Sequence, residues 1–127
     1  MSDAEPTLYD HVGGSAFFTR LVDAFYARVG DDDLLRPLYP EQDLAPAAER
    51  LRLFLEQYWG GPTTYSDRRG HPRLRMRHAG FSIGAEEHDR WLLHMLAALD
   101  GEQLPAALDG PLRAYLVRAA AAMVNAG

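Results

Sequence analysis

The chain has 127 residues, 47% of them hydrophobic, a formal net charge of −5 and no cysteine. That length suits one domain over residues 1–127, able to bury about two-thirds of the surface its unfolded form exposes. The negative balance argues against nucleic acid or an anionic membrane as partner, since both demand a positive field, and the lack of cysteine excludes disulfides and thiol chemistry.

The opening residues MSDAEPTLYD carry neither the charged nor the apolar region of a signal peptide. No apolar run approaches the roughly 20 residues that span a bilayer. The expected compartment is therefore the cytoplasm. All thirteen basic residues are arginine.

Apolar residues recur with helical period almost throughout. Phe17, Leu21, Phe25 and Val29 repeat every four residues, and Phe18, Val22 and Tyr26 form the adjoining ridge. They predict one helix over roughly 15–30, entered through Gly13-Gly14-Ser15. Residues 31–45 hold a short helical piece and then Leu38-Tyr39-Pro40, where Pro40 pushes Tyr39 out of helical geometry.

Leu51, Phe54, Leu55, Tyr58 and Trp59 predict a helix near 46–59, ended by Gly60-Gly61-Pro62. Glycine and proline are too frequent over about 60–84 for more than one short turn, placed near 73–79. An ordered connection of that length is uncommon unless it has a job. Trp91, Leu92, Met95, Leu96 and Leu99 predict a helix near 85–99, with Glu86, Glu87 and Asp89 at its positive end. The last helix is predicted to start at Gly110-Pro111 and to bury Leu112, Tyr115, Leu116, Ala119, Ala120, Met123 and Val124. No segment shows sustained strand alternation, so the fold class is all-α.

Three features carry chemistry. Arg68, Arg69, Arg73, Arg75 and Arg77 fall within ten residues of an acidic chain, and such guanidinium groups suit phosphate, carboxylate or simply solvent. His78 follows them. A lone histidine is most often a surface or hydrogen-bonded residue, and none of the five here has the spacing that puts two ligands on one helical face. A single imidazole does suit a metal whose other ligands come from a macrocycle. Three aromatic residues have polar tips: Tyr26 on the apolar ridge of the first helix, Tyr39 at a chain corner before proline, and Trp91 at the opening of the apolar stripe near 85–99. Singly each reads as core packing; together they offer two O–H donors and one N–H donor to a ligand that acquires negative charge.

In combination the residues resemble the group II truncated haemoglobin family over nearly the whole chain. The match lies in Tyr9-Asp10, Val12-Gly13-Gly14, Phe25-Tyr26, Tyr39-Pro40, Arg50-Leu51, Phe54, Gln57-Tyr58, Gly60-Gly61-Pro62, Gly70-His71-Pro72, Leu74-Arg75, Arg77-His78 and Trp91. The resemblance implies a two-over-two helical sandwich around haem b (iron protoporphyrin IX), with His78 as the iron ligand. It implies a ligand side formed by Tyr26, Tyr39 and Trp91. Cofactor contacts are then expected from Ala47, Arg50, Leu51, Phe54, Tyr65, His71, Leu74, Arg77, Phe81, Ile83 and Met95. Ala47 is small and Leu51 apolar, so their helix donates no side-chain bond to the ligand.

Three functional readings follow. A five-coordinate haem protein would bind dioxygen, nitric oxide and carbon monoxide and release them slowly, which suits holding better than transport. A haem enzyme would scavenge nitric oxide or reduce peroxide with an external reductase, because no flavin or nicotinamide motif is present. A helical interaction module would use the arginines as a partner patch and fold without cofactor. The expected assembly is a monomer or homodimer.

Overall fold

A computed structural model describes residues 6–39, 42–69 and 84–124. The densest apolar repeat becomes the central helix, α2 (Ser15–Gly30), preceded by the short α1 (Leu8–Val12). All seven residues of its predicted stripe, from Phe17 to Val29, are buried. Taking each fully buried Phe, Leu or Val as contributing about 1.5–3 kcal/mol, this one face is a large share of the core's driving force. The Phe17 and Phe18 rings meet edge to face with centroids 5.0 Å apart.

A 3-10 turn (Arg36–Leu38) follows, then α3 (Ala45–Tyr58), α4 (Thr64–Arg69), α5 (Ala85–Glu102) and α6 (Ala106–Met123). No strand occurs among the described residues. α2 packs on both α3 and α5, and α5 packs on α6. The core is thus two helix pairs meeting along α2 and α5. Inside it lie Leu35, Leu55, Met95, Leu99, Leu112 and Leu116 with the α2 stripe.

Local chemistry sets the ends. Pro46 occupies the first turn of α3, where its missing N–H costs nothing, and the Asp43 carboxylate accepts the Ala45 N–H at 2.9 Å. At α5 the Glu87 carboxylate accepts the Gly84 N–H at 2.7 Å, so the acidic start read from sequence works as a cap. Tyr39 is extended (φ −105°, ψ 109°), as Pro40 requires.

The glycine motifs separated in sequence meet in space. Tyr9 donates its N–H to the Trp59 carbonyl at 3.0 Å. A Cβ on Gly61 would lie 2.7 Å from the Tyr9 ring, and Gly60, at φ +96°, would meet Thr7 at 2.5 Å. Glycine there lets α1 lie against the end of α3.

Two sequence expectations are corrected. α4 forms within the stretch assigned no helix before residue 73, because Gln57 holds it in place: its side chain accepts the Ser66 N–H at 2.9 Å and donates to the Ser66 hydroxyl at 2.7 Å. α6 begins at Ala106 rather than Gly110-Pro111; the Pro105 carbonyl accepts the N–H groups of Leu108 and Asp109, both at 2.9 Å, and Pro111 lies inside the helix. The helix carries Pro111 at the loss of one backbone bond. The turn expected near residues 73–79 lies outside the described residues.

Candidate functional site

The three polar-tipped aromatics arrive from three elements. Tyr26 comes from the buried stripe of α2, Tyr39 from the end of the 3-10 turn and Trp91 from the second turn of α5. The Tyr26 and Tyr39 rings meet edge to face at 5.5 Å, Tyr26 and Phe25 at 4.9 Å, and Phe25 and Trp91 at 5.4 Å. Phe25, fully buried, links Tyr26 to Trp91, and Tyr26 links it to Tyr39. Each such edge contact adds about 0.5–1.5 kcal/mol beyond area burial, so the cluster fixes where two phenols and one indole sit. Tyr26 is buried, whereas Tyr39 and Trp91 are half-buried.

The α3 residues expected beside a cofactor fall on the same core. Ala47 is buried in it, and Leu51 and Phe54 are half-buried against it. Tyr65 of α4 is buried, and its ring meets that of Phe54 edge to face with centroids 5.4 Å apart. Met95, one turn beyond Trp91, is fully buried in the core, and Arg50 is half-buried on α3. Arg68, the first of the arginine cluster, pairs with Glu49 of α3 at 3.0 Å on the surface; such an exposed pair contributes roughly 0–1 kcal/mol. His71, Leu74, Arg77, His78, Phe81 and Ile83, with Arg73 and Arg75, lie outside the described residues.

One charged cluster escaped the sequence reading. Asp32, just past the end of α2, is buried together with His94 of α5. Its Oδ1 accepts the N–H groups of Leu34 at 2.8 Å and Leu35 at 3.0 Å. Its Oδ2 lies 2.6 Å from His94 Nε2, and Arg90 Nη1 approaches both oxygens at 3.2 and 3.1 Å. On the other side of the imidazole, Arg28 Nε donates to His94 Nδ1 at 3.1 Å.

Arginine stays charged and can only donate, so Nδ1 must be the acceptor. The hydrogen-bond geometry therefore puts the His94 proton on Nε2, directed at Asp32. Burial works to raise the Asp32 carboxyl, but the bonds from His94, from the Leu35 and Leu34 N–H groups and from Arg90 outweigh it. The carboxyl is held below the ordinary carboxylate range.

A helical core of this kind, with a phenol–indole cluster at the junction of its pairs, is the architecture of a small globin. The bacterial-like globin family model matches residues 7–125. The group 2 truncated hemoglobin YjbI of Bacillus subtilis is 42% identical over 81% of this chain and 74% of its own length. Among solved structures, a thermostable hemoglobin from the actinobacterium Thermobifida fusca superposes with a TM-score of 0.93 at 65% identity, over 94% of this chain and 98% of that one. A truncated oxygen-avid haemoglobin from Bacillus subtilis does so with a TM-score of 0.88 at 39% identity, over 94% and 100%. The chain belongs to the group II truncated haemoglobin family, and its fold is the two-over-two globin sandwich. No helix among the described residues is long and apolar enough to cross a membrane.

Proposed function

We propose that the chain holds haem b through His78 and binds dioxygen and other diatomic ligands with slow release. The observation that carries this is the continuous row of ring contacts Tyr39–Tyr26–Phe25–Trp91, which brings the two phenols and the indole into one cluster. The chemistry of that set fits a haem site: two phenol O–H groups and one indole N–H, each able to donate a hydrogen bond, set beside the apolar side chains of Ala47, Leu51 and Phe54. When bound, the haem iron would supply the open coordination position that takes the ligand.

The chain's own residues do the rest. Leu51 and Phe54 present apolar surface that keeps water away, which strengthens any hydrogen bond made there, and Met95 backs the site from within the core. Arg50 and Arg77 are the cations proposed to meet the propionates, and Tyr65, His71, Leu74, Phe81 and Ile83 complete the proposed contacts. The O–H and N–H groups orient toward a partly negative ligand, each contributing about 0.5–1.5 kcal/mol. The likeness to an oxygen-avid haemoglobin from Bacillus subtilis supports tight dioxygen binding as the property to expect.

Titration with haem tests this. One haem per chain with a sharp Soret band is expected. A chain that keeps its helicity yet develops no Soret band would overturn the proposal in favour of an interaction module.

A further inference from the structure

Asp32 touches every element that delivers a ligand-side donor. Toward the turn, its Oδ1 holds the Leu34 and Leu35 N–H groups, and its backbone carbonyl accepts the Arg36 N–H at 2.9 Å. Arg36 in turn donates to the Tyr39 carbonyl and the Gln42 carbonyl, both at 2.9 Å. Toward α5, its carboxylate grips Arg90 and His94, the residues one before and three after Trp91. Through His94 it reaches Arg28, two residues after Tyr26 on α2. A single buried carboxylate thus fixes the turn that carries Tyr39 against the face of α5 that carries Trp91.

We infer that Asp32 is a positioning residue for Tyr39 and Trp91, acting through the Arg28–His94–Asp32 relay of hydrogen bonds and its contact with Arg90. The inference rests on the proposed ligand-side role of those two aromatics. The relay has only one self-consistent proton arrangement. Arg28 donates to Nδ1, so Nε2 must donate, and the group beyond it must accept. Carboxylate Oδ2 satisfies that requirement. Asparagine keeps Oδ1 for the two backbone N–H groups but puts an NH2 where Oδ2 stood, so two donors face each other. His94 can resolve the conflict only by moving its proton to Nδ1, and there it meets the Arg28 N–H. Any relief at Asp32 reappears at Arg28, and a shift of either element moves a donor.

The test uses the haem-reconstituted full chain and reads two quantities: the dioxygen dissociation rate and the infrared C–O stretch of the carbon monoxide complex, which reports donors near the ligand. Asp32→Asn is expected to speed dissociation about two- to tenfold, the equivalent of one lost donor bond, and to move the C–O band. Adding Arg28→Met to Asp32→Asn removes the second donor, lets His94 carry its proton on Nδ1, and is expected to return both readouts most of the way.

If Asp32→Asn lowers the melting temperature but leaves rate and band untouched while Trp91→Phe changes them, Asp32 only stabilises the fold and the inference is overturned. If Trp91→Phe also changes nothing, the underlying ligand-side reading falls, and the inference with it. Should Asp32→Asn fail to fold, Arg90→Met serves, since Arg90 is half exposed: a shifted C–O band supports the positioning role, and an unmoved one overturns it.

Discussion

Trp91→Phe combined with Tyr39→Phe is expected to speed dioxygen dissociation about five- to a hundredfold, measured by displacing dioxygen with carbon monoxide in a stopped-flow instrument. The estimate takes two donor bonds at about 0.5–1.5 kcal/mol each and one tenfold change in rate per 1.4 kcal/mol. Phenylalanine at both sites keeps a ring where a ring packs: Trp91 against Phe25 at 5.4 Å and Tyr39 against Tyr26 at 5.5 Å. The core is therefore retained while two polar tips are removed. Each single variant should account for part of the change, and the pair should exceed either, because the residues approach from different elements. An unchanged rate in the double variant would mean that neither tip reaches the ligand.

Removing haem is expected to lower the melting temperature by about 10–20 °C, read by circular dichroism on the haem-free and reconstituted chain. A ligand present at a thousand times its Kd stabilises a fold by about 4 kcal/mol, and in a protein of this size each kcal/mol moves the midpoint by several degrees. Four aromatic or branched side chains that the proposal puts at the cofactor, Tyr39, Leu51, Phe54 and Trp91, are only half-buried by the protein itself. Covering them would add apolar burial at about 25 cal/mol per Å2. An interaction module has no such dependence, so equal midpoints with and without haem would favour it.

Much of this was legible in the sequence, for reasons that differ by element. The α2 stripe follows from period alone, since seven apolar residues at helical spacing can be satisfied only by burying one face. Tyr39 was legible through its neighbour, because a following proline excludes helical backbone. The aromatic trio was legible as polar-tipped residues on an apolar ridge, at a chain corner and at the head of an apolar stripe, although only the fold brings residues 26, 39 and 91 to one ring cluster.

What escaped was held by particular hydrogen bonds rather than by apolar period. The α4 segment Thr64–Arg69 has little apolar period of its own and depends on Gln57 reaching Ser66. The start of α6 was misplaced because Pro111 looks like a first-turn residue, whereas Pro105 supplies the real start. Asp32 and His94 are 62 residues apart. An Asp in a run of three and a His on a mixed helix carry no motif that announces a buried pair.

His78 bears the central claim, and vibrational spectroscopy of the ferrous, ligand-free protein addresses it most directly. Resonance Raman of the reconstituted chain is expected to show an iron–imidazole stretch that disappears in His78→Ala and returns when free imidazole is added. A band that persists unchanged in His78→Ala would mean that another side chain holds the iron.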